Sequence, residues 1–263
     1  MIKKILKEIV HSMGFDIIRY TGKSKNKSKK TNNLTYHVTK TGNYFLPTDA
    51  KNDVIINSII HNQIFEKEVT DVASKFIRPG KTVLDIGSNF GQMSILFSNL
   101  VGSEGKVHAF DADDWIYNIL NKNIIANKKE GIIIPHFGAV HNIDGETFYF
   151  PEQDFIEFQT YGSYGIDYNA GEGRAVKSLT IDSLNINEEV CFMKVDVQGS
   201  DLQALKGAVN TIKKNRMPII FEYEYHFEDR FNMKFQDYVD FVRDIDYRFE
   251  KVINGHNYLI IPR

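Results

Sequence analysis

The chain has 263 residues, 42% of them apolar, and a formal net charge of −2. That is enough apolar material for one large α/β domain with extensions or for two small domains, and too much for a disordered chain. A single cysteine, Cys191, excludes an internal disulfide framework and fits a reducing, cytoplasmic compartment, and no run of about 18 apolar residues marks a membrane span.

The charge is uneven. Residues 1–30 carry nine Lys or Arg against Glu8 and Asp16, a net +7 that leaves −9 on the remainder. An acidic body argues against nucleic acid as a partner. At the start, Ile2, Ile5, Leu6, Ile9, Val10 and Met13 recur at the spacing of one helical face, with Lys3, Lys4 and Lys7 off it and Gly14 as a stop. Such a helix either packs on its own domain or a partner subunit, or lies on anionic lipid as a peripheral contact at the inner face of a membrane. No apolar core with a cleavage site reads as a secretory signal. Residues 24–33 hold only Lys, Ser, Asn and Thr and read as a solvated linker. In 34–80, Tyr36, Tyr44 and Phe45 suit short strands or a substrate wall. Ile64, Val69, Val72, Phe76 and Ile77 place a buried stripe on a helix from about 63 to 76, which Pro79-Gly80 ends.

From Lys81 onward the pattern alternates. Strands are predicted at 82–86, 106–110, 132–137, 191–195 and 218–222, and helices at 91–100, 113–127, 200–214 and 235–244. Shorter strands fit 148–150 and 175–179. Alternation of this kind builds a parallel sheet covered on both faces. The segments 248–253 and 256–261 flank Asn254-Gly255, the signal of a type I′ hairpin. The expected organisation is a basic helix and linker (1–33), a cap or extension (34–80), and a Rossmann-like α/β domain (81–263). Its sheet is expected to be mostly parallel and seven-stranded, finished by an antiparallel hairpin.

The most informative stretch is 83–92, a strand, a tight turn and a helix opening. Its frame is Asp85-x-Gly87-x-Asn89-x-Gly91. A pyrophosphate needs bare backbone at the middle position, where Asn89 stands. A carboxylate at the strand end repels pyrophosphate and favours an ammonium or sulfonium. S-adenosylmethionine carries both. Asp111 follows Gly91 by twenty residues and ends the next strand, the place of an acid that accepts ribose hydroxyls. The plainer reading is that Asp85 and Asp111 cap helices of an ordinary α/β sheet.

Ligands of open α/β sheets lie beyond the carboxyl ends of the strands. Asp196 and Glu222 stand at two such ends, with Glu224 and His226 close behind. Asp196 has three readings: it orients or deprotonates an acceptor, it ligates Mg²⁺ with Glu222, or it caps the helix at 200–214. His226 has the best-matched ordinary pKa for a base, and is otherwise a solvent-facing loop histidine. Lys194 is expected to pair with a strand-end carboxylate. The Gly- and Tyr-rich stretch 161–173 is either a lid over the cofactor or an irregular surface loop.

Residues 82–224 resemble the FkbM-type methyltransferases. The motifs are Val83-Leu-Asp-Ile-Gly-Ser-Asn-Phe-Gly91, Val107-His-Ala-Phe-Asp-Ala112, Leu179-Thr-Ile-Asp182 and Lys194-Val-Asp-Val-Gln-Gly199. Gln198 stands where the family has Glu, Asp201 where it has a second Glu, and Asp111-Ala112 where it has Glu-Pro. The resemblance implies a class I methyltransferase fold with S-adenosylmethionine held by Asp85, Gly87, Ser88, Asn89, Gly91, Asp111, Ala112 and Ala139. Asp196, Glu222 and His226 are the catalytic candidates, and Mg²⁺ is an open option. It implies O-methylation, and the expected acceptor is a sugar hydroxyl of a bacterial surface polysaccharide or related glycan. The alternatives are N-methylation of an amino sugar or peptide, and a non-catalytic adenosylmethionine-binding module, which the loss of charge at Gln198 keeps open. Asn89 disfavours a nicotinamide oxidoreductase.

Overall fold

A computed structural model of the chain describes residues 33–50, 52–150, 160–162, 164–168 and 170–263. The predicted basic helix at 1–20, nearly all of the linker and the membrane contact they would make lie outside the described residues. The fold begins with an antiparallel hairpin, β1 (Leu34–Thr39) and β2 (Gly42–Pro47). Tyr44 and Leu46 alternate onto one face of β2 and are fully buried. Two short helices follow, α1 (Val54–Ile60) and α2 (Lys67–Ala73). The single helix expected at 63–76 is therefore corrected. The apolar pattern runs through, but Asn62 and Glu66 take positive φ (63° and 47°) and break the backbone between the two helices.

The main sheet is built from β3 (Thr82–Ile86), α3 (Gln92–Val101), β4 (Lys106–Asp111), α4 (Asp114–Ala126) and β5 (Ile133–Phe137). A small side sheet comes next, from β6 (Ala139–Val140), β7 (Thr147–Phe150) and β8 (Arg174–Leu179). The chain returns through β9 (Val190–Val195), α5 (Asp201–Lys206), α6 (Val209–Asn215), β10 (Ile219–Glu222), α7 (Glu228–Phe231) and α8 (Phe235–Asp244). It ends in β11 (Tyr247–Ile253) and β12 (Asn257–Pro262). Among the described residues the main sheet has seven strands in the order β11-β12-β10-β9-β3-β4-β5. The five from β10 to β5 are parallel, and β12 runs antiparallel to both its neighbours. This is the Rossmann-like arrangement expected from the alternating pattern.

Two predicted elements differ in detail. The helix expected at 200–214 breaks at Gly207, where a side chain would sit 2.0 Å from the His141 carbonyl oxygen. The hairpin turn has three residues rather than two, because Ile253 pairs with Asn257. Asn254 and Gly255 take the positive φ values that a turn with Asn-Gly favours (55° and 83°), and His256 is left as the third loop residue.

β3 is buried at every residue because helices and the 34–80 segment cover it on both faces. Val83 faces a core shared with Tyr44, Ile59, Val69, Phe90, Phe97 and Phe192. Leu84 and Ile86 face the opposite core, with Val195, Leu202, Phe221 and Tyr238. Residues 34–80 thus pack into the same core as the sheet. Among the described residues no helix is long and apolar enough to cross a membrane.

The joint between the hairpin and the sheet is polar. Asn123 of α4 is fully buried. Its Oδ1 accepts from the Phe45 N–H (2.6 Å), and its Nδ2 donates to the Phe90 carbonyl (2.9 Å). Replacing Asn123 by Ala strands these buried groups, each of which costs about 1–3 kcal/mol when unpaired. We expect Asn123→Ala to lower stability by an amount in that range and to speed exchange of the Phe45 amide. An unchanged urea midpoint with full protection of that amide would show that the joint carries no weight.

Candidate active site at the carboxyl edge of the sheet

Parallel strands deliver their last residues to one edge. Here those residues are Asp85, Asp111, Asp196 (just past β9) and Glu222. The turn from β3 to α3 is held by backbone pairing. The N–H groups of Gly87 and Ser88 both donate to the Phe110 carbonyl (3.0 and 2.9 Å), which locks the turn onto the end of β4. Ser88 Oγ donates to the same oxygen (3.1 Å). Gly87 has φ 82°, and a side chain there would lie 1.7 Å from the Asp196 carbonyl oxygen. Contact with the end of β9 therefore demands this glycine as much as any ligand does. Asn89 takes φ 49°, a region that asparagine tolerates.

Asp111 accepts the Asn89 N–H at Oδ2 (3.0 Å) and the Asp113 N–H at Oδ1 (2.9 Å). Each oxygen keeps a lone pair, and the residue is half-buried. Burial pushes its carboxyl up to about 7, against the pull of those N–H groups. Asp85 is placed differently. It is fully buried beneath the turn, where Oδ2 accepts from Ser94 Oγ (2.5 Å). The positive charge it meets is internal, the Lys194 ammonium 3.9 Å from Oδ1.

Lys194 is itself almost wholly buried. Its ammonium lies 3.1 Å from Asp196 Oδ2 and donates to the Gly87 carbonyl (3.3 Å). Burial would pull its pKa down, but Asp196, Asp85 and Glu66 outweigh that and raise it. The expected pairing of Lys194 is therefore present, with two strand-end acids at once.

Asp196 does not cap α5. The N–H groups of Val197 and Gly199 donate instead to Asp201 (3.3 and 3.2 Å). Burial, with Asp196 adding to it, pushes the Asp201 carboxyl up to about 7. Gln198, at φ 54°, turns its amide into the edge. Its Nε2 donates toward Asp196 Oδ1 (3.3 Å) and Glu222 Oε2 (3.4 Å). Both oxygens of Asp196 are thus engaged, by Lys194 and Gln198, with one contact each. Glu222 is buried, and its carboxyl is raised well above the usual range, first by burial and then by Asp196, Asp201, Glu224 and Glu66.

His226 is not brought to these groups. It sits on an exposed turn and pairs with Glu224 (2.8 Å). The histidine that meets the acids is His256, 3.2 Å from Glu66 Oε1 and 3.9 Å from Glu222 Oε1. Sequence reasoning missed Glu66 and His256. The one available signal was the hairpin itself: β12 returns antiparallel beside β10, so its turn must lie near the end of β10 (Glu222↔Asn257).

The described residues of 160–173 fold across this edge. Tyr161 is buried, with its ring against Trp115 and Phe90. Its N–H donates to Asp53 Oδ2 (2.7 Å), whose other oxygen caps α1. Gly165 lies against Gln198, and the Tyr168 hydroxyl is hydrogen-bonded to Ser200. Ala112 packs with the side-sheet core that contains Ala139. A cavity of about 240 Å³ lies at the other ends of the strands, between Lys75, Arg78, Cys191 and Pro218, away from all these groups.

A family model for the methyltransferase FkbM domain matches residues 85–249, from the acid of the glycine turn to the last strands of the sheet. This chain belongs to the FkbM methyltransferase family. Among solved structures it is similar to methyltransferase FkbM from Methylobacillus flagellatus, at 16% identity over 73% of this chain and 49% of that one (TM-score 0.47). This chain thus spans about half of that relative's length. It is also similar to precorrin-6y C5,15-methyltransferase from Geobacter metallireducens, at 12% identity over 75% of this chain and 89% of that one (TM-score 0.43). Aeropyrum pernix fibrillarin, solved with natively bound S-adenosyl-L-methionine, matches at 12% identity over 74% of each chain (TM-score 0.42). No curated protein matches. The FkbM span includes Asp111, Asp196 and Glu222 and leaves Glu66 and His256 outside it.

The close approach of β9 to the glycine turn is testable. Gly80 also has positive φ (75°) but open space around it. Gly80→Ala should cost only the left-handed conformation, about 1–2 kcal/mol. Gly87→Ala adds a clash with backbone and should lose clearly more in urea unfolding. Equal losses would refute the steric argument.

Proposed function

We propose that this methyltransferase moves the methyl group of S-adenosylmethionine to a hydroxyl, with a sugar hydroxyl of a glycan as the acceptor class. The observation that carries the cofactor assignment is Asp111. It is half-buried at the end of β4, tied to the glycine turn by the Asn89 N–H, and has lone pairs left for two ribose hydroxyls. The amino-terminal end of α3, at the glycine turn, fits the carboxylate of that cofactor. When bound, the cofactor supplies the methyl group on a sulfonium. The chain's own residues do the rest. Asp111 and the turn orient the donor. Asp196, at the end of the neighbouring strand, aligns the acceptor hydroxyl and takes its proton. Gln198 separates Asp196 from Glu222 and keeps two acids side by side.

Oxygen rather than nitrogen is favoured because an alcohol must lose its proton during transfer, and this edge is rich in proton acceptors. A glycan acceptor follows the family resemblance, and the largely exposed Tyr225 offers an aromatic face on which a sugar ring can stack. Gln198 is used as a bridge between two carboxylates, which weakens the case for a non-catalytic module. Incubation with labelled adenosylmethionine and an oligosaccharide panel tests the reading directly; label on amino sugars alone would move the acceptor to nitrogen.

Two variants probe the roles. Asp196→Asn keeps the shape and should lower turnover by about 10²–10⁴-fold while leaving cofactor affinity nearly unchanged. A fully active variant would remove Asp196 from the mechanism. For Asp111 the sign follows from its raised carboxyl. Hydroxyls donate to the ionised form, so binding competes with protonation below about 7. Adenosylmethionine affinity should therefore rise with pH through about 7 and level off above it. Below that, the loss approaches about 1.4 kcal/mol per pH unit. Asp111→Asn should bind weakly with a flat profile, and a wild-type profile already flat from pH 5.5 to 8.5 would contradict the assignment.

A further inference from the structure

Glu66, Glu222 and His256 come from three distant parts of the chain and meet at one point. Glu66 follows the broken turn before α2, Glu222 ends β10, and His256 closes the C-terminal hairpin. One oxygen from each glutamate and one imidazole nitrogen lie within 4.8 Å of one another. His256 Nε2 stands 3.2 Å from Glu66 Oε1 and 3.9 Å from Glu222 Oε1. Around an ion with bonds of about 2.0–2.2 Å, neighbouring donors stand about 3.0–3.4 Å apart. Shifts of less than about 1 Å would bring the two pairs to that spacing.

A second observation asks for a ligand. The Glu66 side chain is nine-tenths buried, and its Oε2 is closed to solvent with no hydrogen-bond partner. Its other oxygen is satisfied, by His256 Nε2 and by Asn257 Nδ2 (3.0 Å). A buried carboxylate oxygen left bare is costly unless a cation meets it. The surroundings are acidic. Asp196, Asp201 and Glu224 all act on Glu222, while the nearby lysine, Lys194, is committed to Asp196, Asp85 and the Gly87 carbonyl.

We propose that Glu66, Glu222 and His256 bind a divalent first-row transition ion, of which Mn²⁺ and Zn²⁺ are the natural probes. Two carboxylates and one imidazole suit such ions, whereas Mg²⁺ and Ca²⁺ prefer oxygen alone. The Glu66 carboxylate, one oxygen of Glu222 and His256 Nε2 are the ligands, and solvent fills the remaining positions. On binding, Nε2 gives any proton it carries to solvent and donates its lone pair to the ion. The ion would clasp the 61–66 turn to the C-terminal hairpin across the end of β10, beside the proposed acceptor site. Glu66 and His256 lie outside the span matched by the family model, and Glu222 lies inside it. The proposal does not rest on the acceptor or on the mechanism, and it is read from the metal itself.

The test uses the full chain, stripped with chelator and titrated with Mn²⁺ while the free-ion electron paramagnetic resonance signal is followed. We expect one tight site per chain, with spin-echo modulation from a directly bound nitrogen and displacement of Mn²⁺ by Zn²⁺. Glu66→Gln should weaken binding by at least about tenfold. His256→Gln should abolish the nitrogen modulation, and His61→Ala, on an exposed turn, should change neither. If the Glu66 or His256 variants fail to fold, the nitrogen signal of the wild type still decides. The proposal is overturned if neither Mn²⁺ nor Zn²⁺ binds at millimolar concentration, or if bound Mn²⁺ shows no nitrogen. It is equally overturned if equimolar Mg²⁺ displaces Mn²⁺, or if folded Glu66→Gln and His256→Gln bind as the wild type does. The first of these results would leave Glu66–His256 as a polar clasp alone, with the methyltransferase assignment untouched.

Discussion

A single buried ammonium holds the carboxyl edge of the sheet together. Parallel strands end side by side, and in this chain β3, β9 and β10 each end at or next to an acid. Lys194 lies among them, within reach of Asp85, Asp196 and the Gly87 carbonyl. Removing charges from water is costly, and their mutual attraction offsets that only when the geometry satisfies most of their hydrogen bonds. The position of the glycine turn depends on this contact. The turn has no room for a side chain at Gly87 because β9 must come close enough to bring Lys194 beneath it.

The remaining negative charge is handled by neutral donors. Asp111 and Asp201 each receive two backbone N–H groups, which is how a buried carboxylate is kept without a partner cation. Gln198 works in the same way. Its amide lies between Asp196 and Glu222, where a glutamate would add a third charge beside Glu222, whose carboxyl is already pushed upward. The departure from the family pattern at this position thus has a local electrostatic reason.

The extensions complete the edge through polar joints rather than through apolar area alone. Asp53 ties α1 to the 160–162 segment, and Gln92 accepts from the Phe65 N–H and donates to the Gln63 carbonyl. Asn123 ties the N-terminal hairpin to α4 and to the glycine turn. Glu66 then meets His256 and Asn257 of the C-terminal hairpin, so segments 190 residues apart close over the ends of β3, β9 and β10. Buried joints of this kind give direction to contacts that apolar packing leaves loose.

What the sequence determined by itself was set by local periodicity and by turn chemistry. The apolar runs at 82–86, 106–110 and 191–195 give the strands almost residue for residue, and Asp85-x-Gly87-x-Asn89-x-Gly91 with Asp111 marks the ligand edge before any contact is known. Lys194 could be assigned an acidic partner because it is a lone cation in a buried strand. What only the tertiary structure decided depends on contacts distant in sequence. Asp85 faces an internal lysine because β9 lies next to β3. The helix ends at Gly207, and the absence of a side chain there leaves room for the His141 carbonyl. Asp196 has no capping role, and Asp201, five residues further on, takes the Val197 and Gly199 N–H groups in a turn that pattern alone does not resolve. His226, with the more suggestive position in the chain, stays on an exposed turn, while His256 reaches the acids because an antiparallel strand returns it to the end of β10. Periodicity specifies which face a residue takes; it carries no information about which other segment will arrive there.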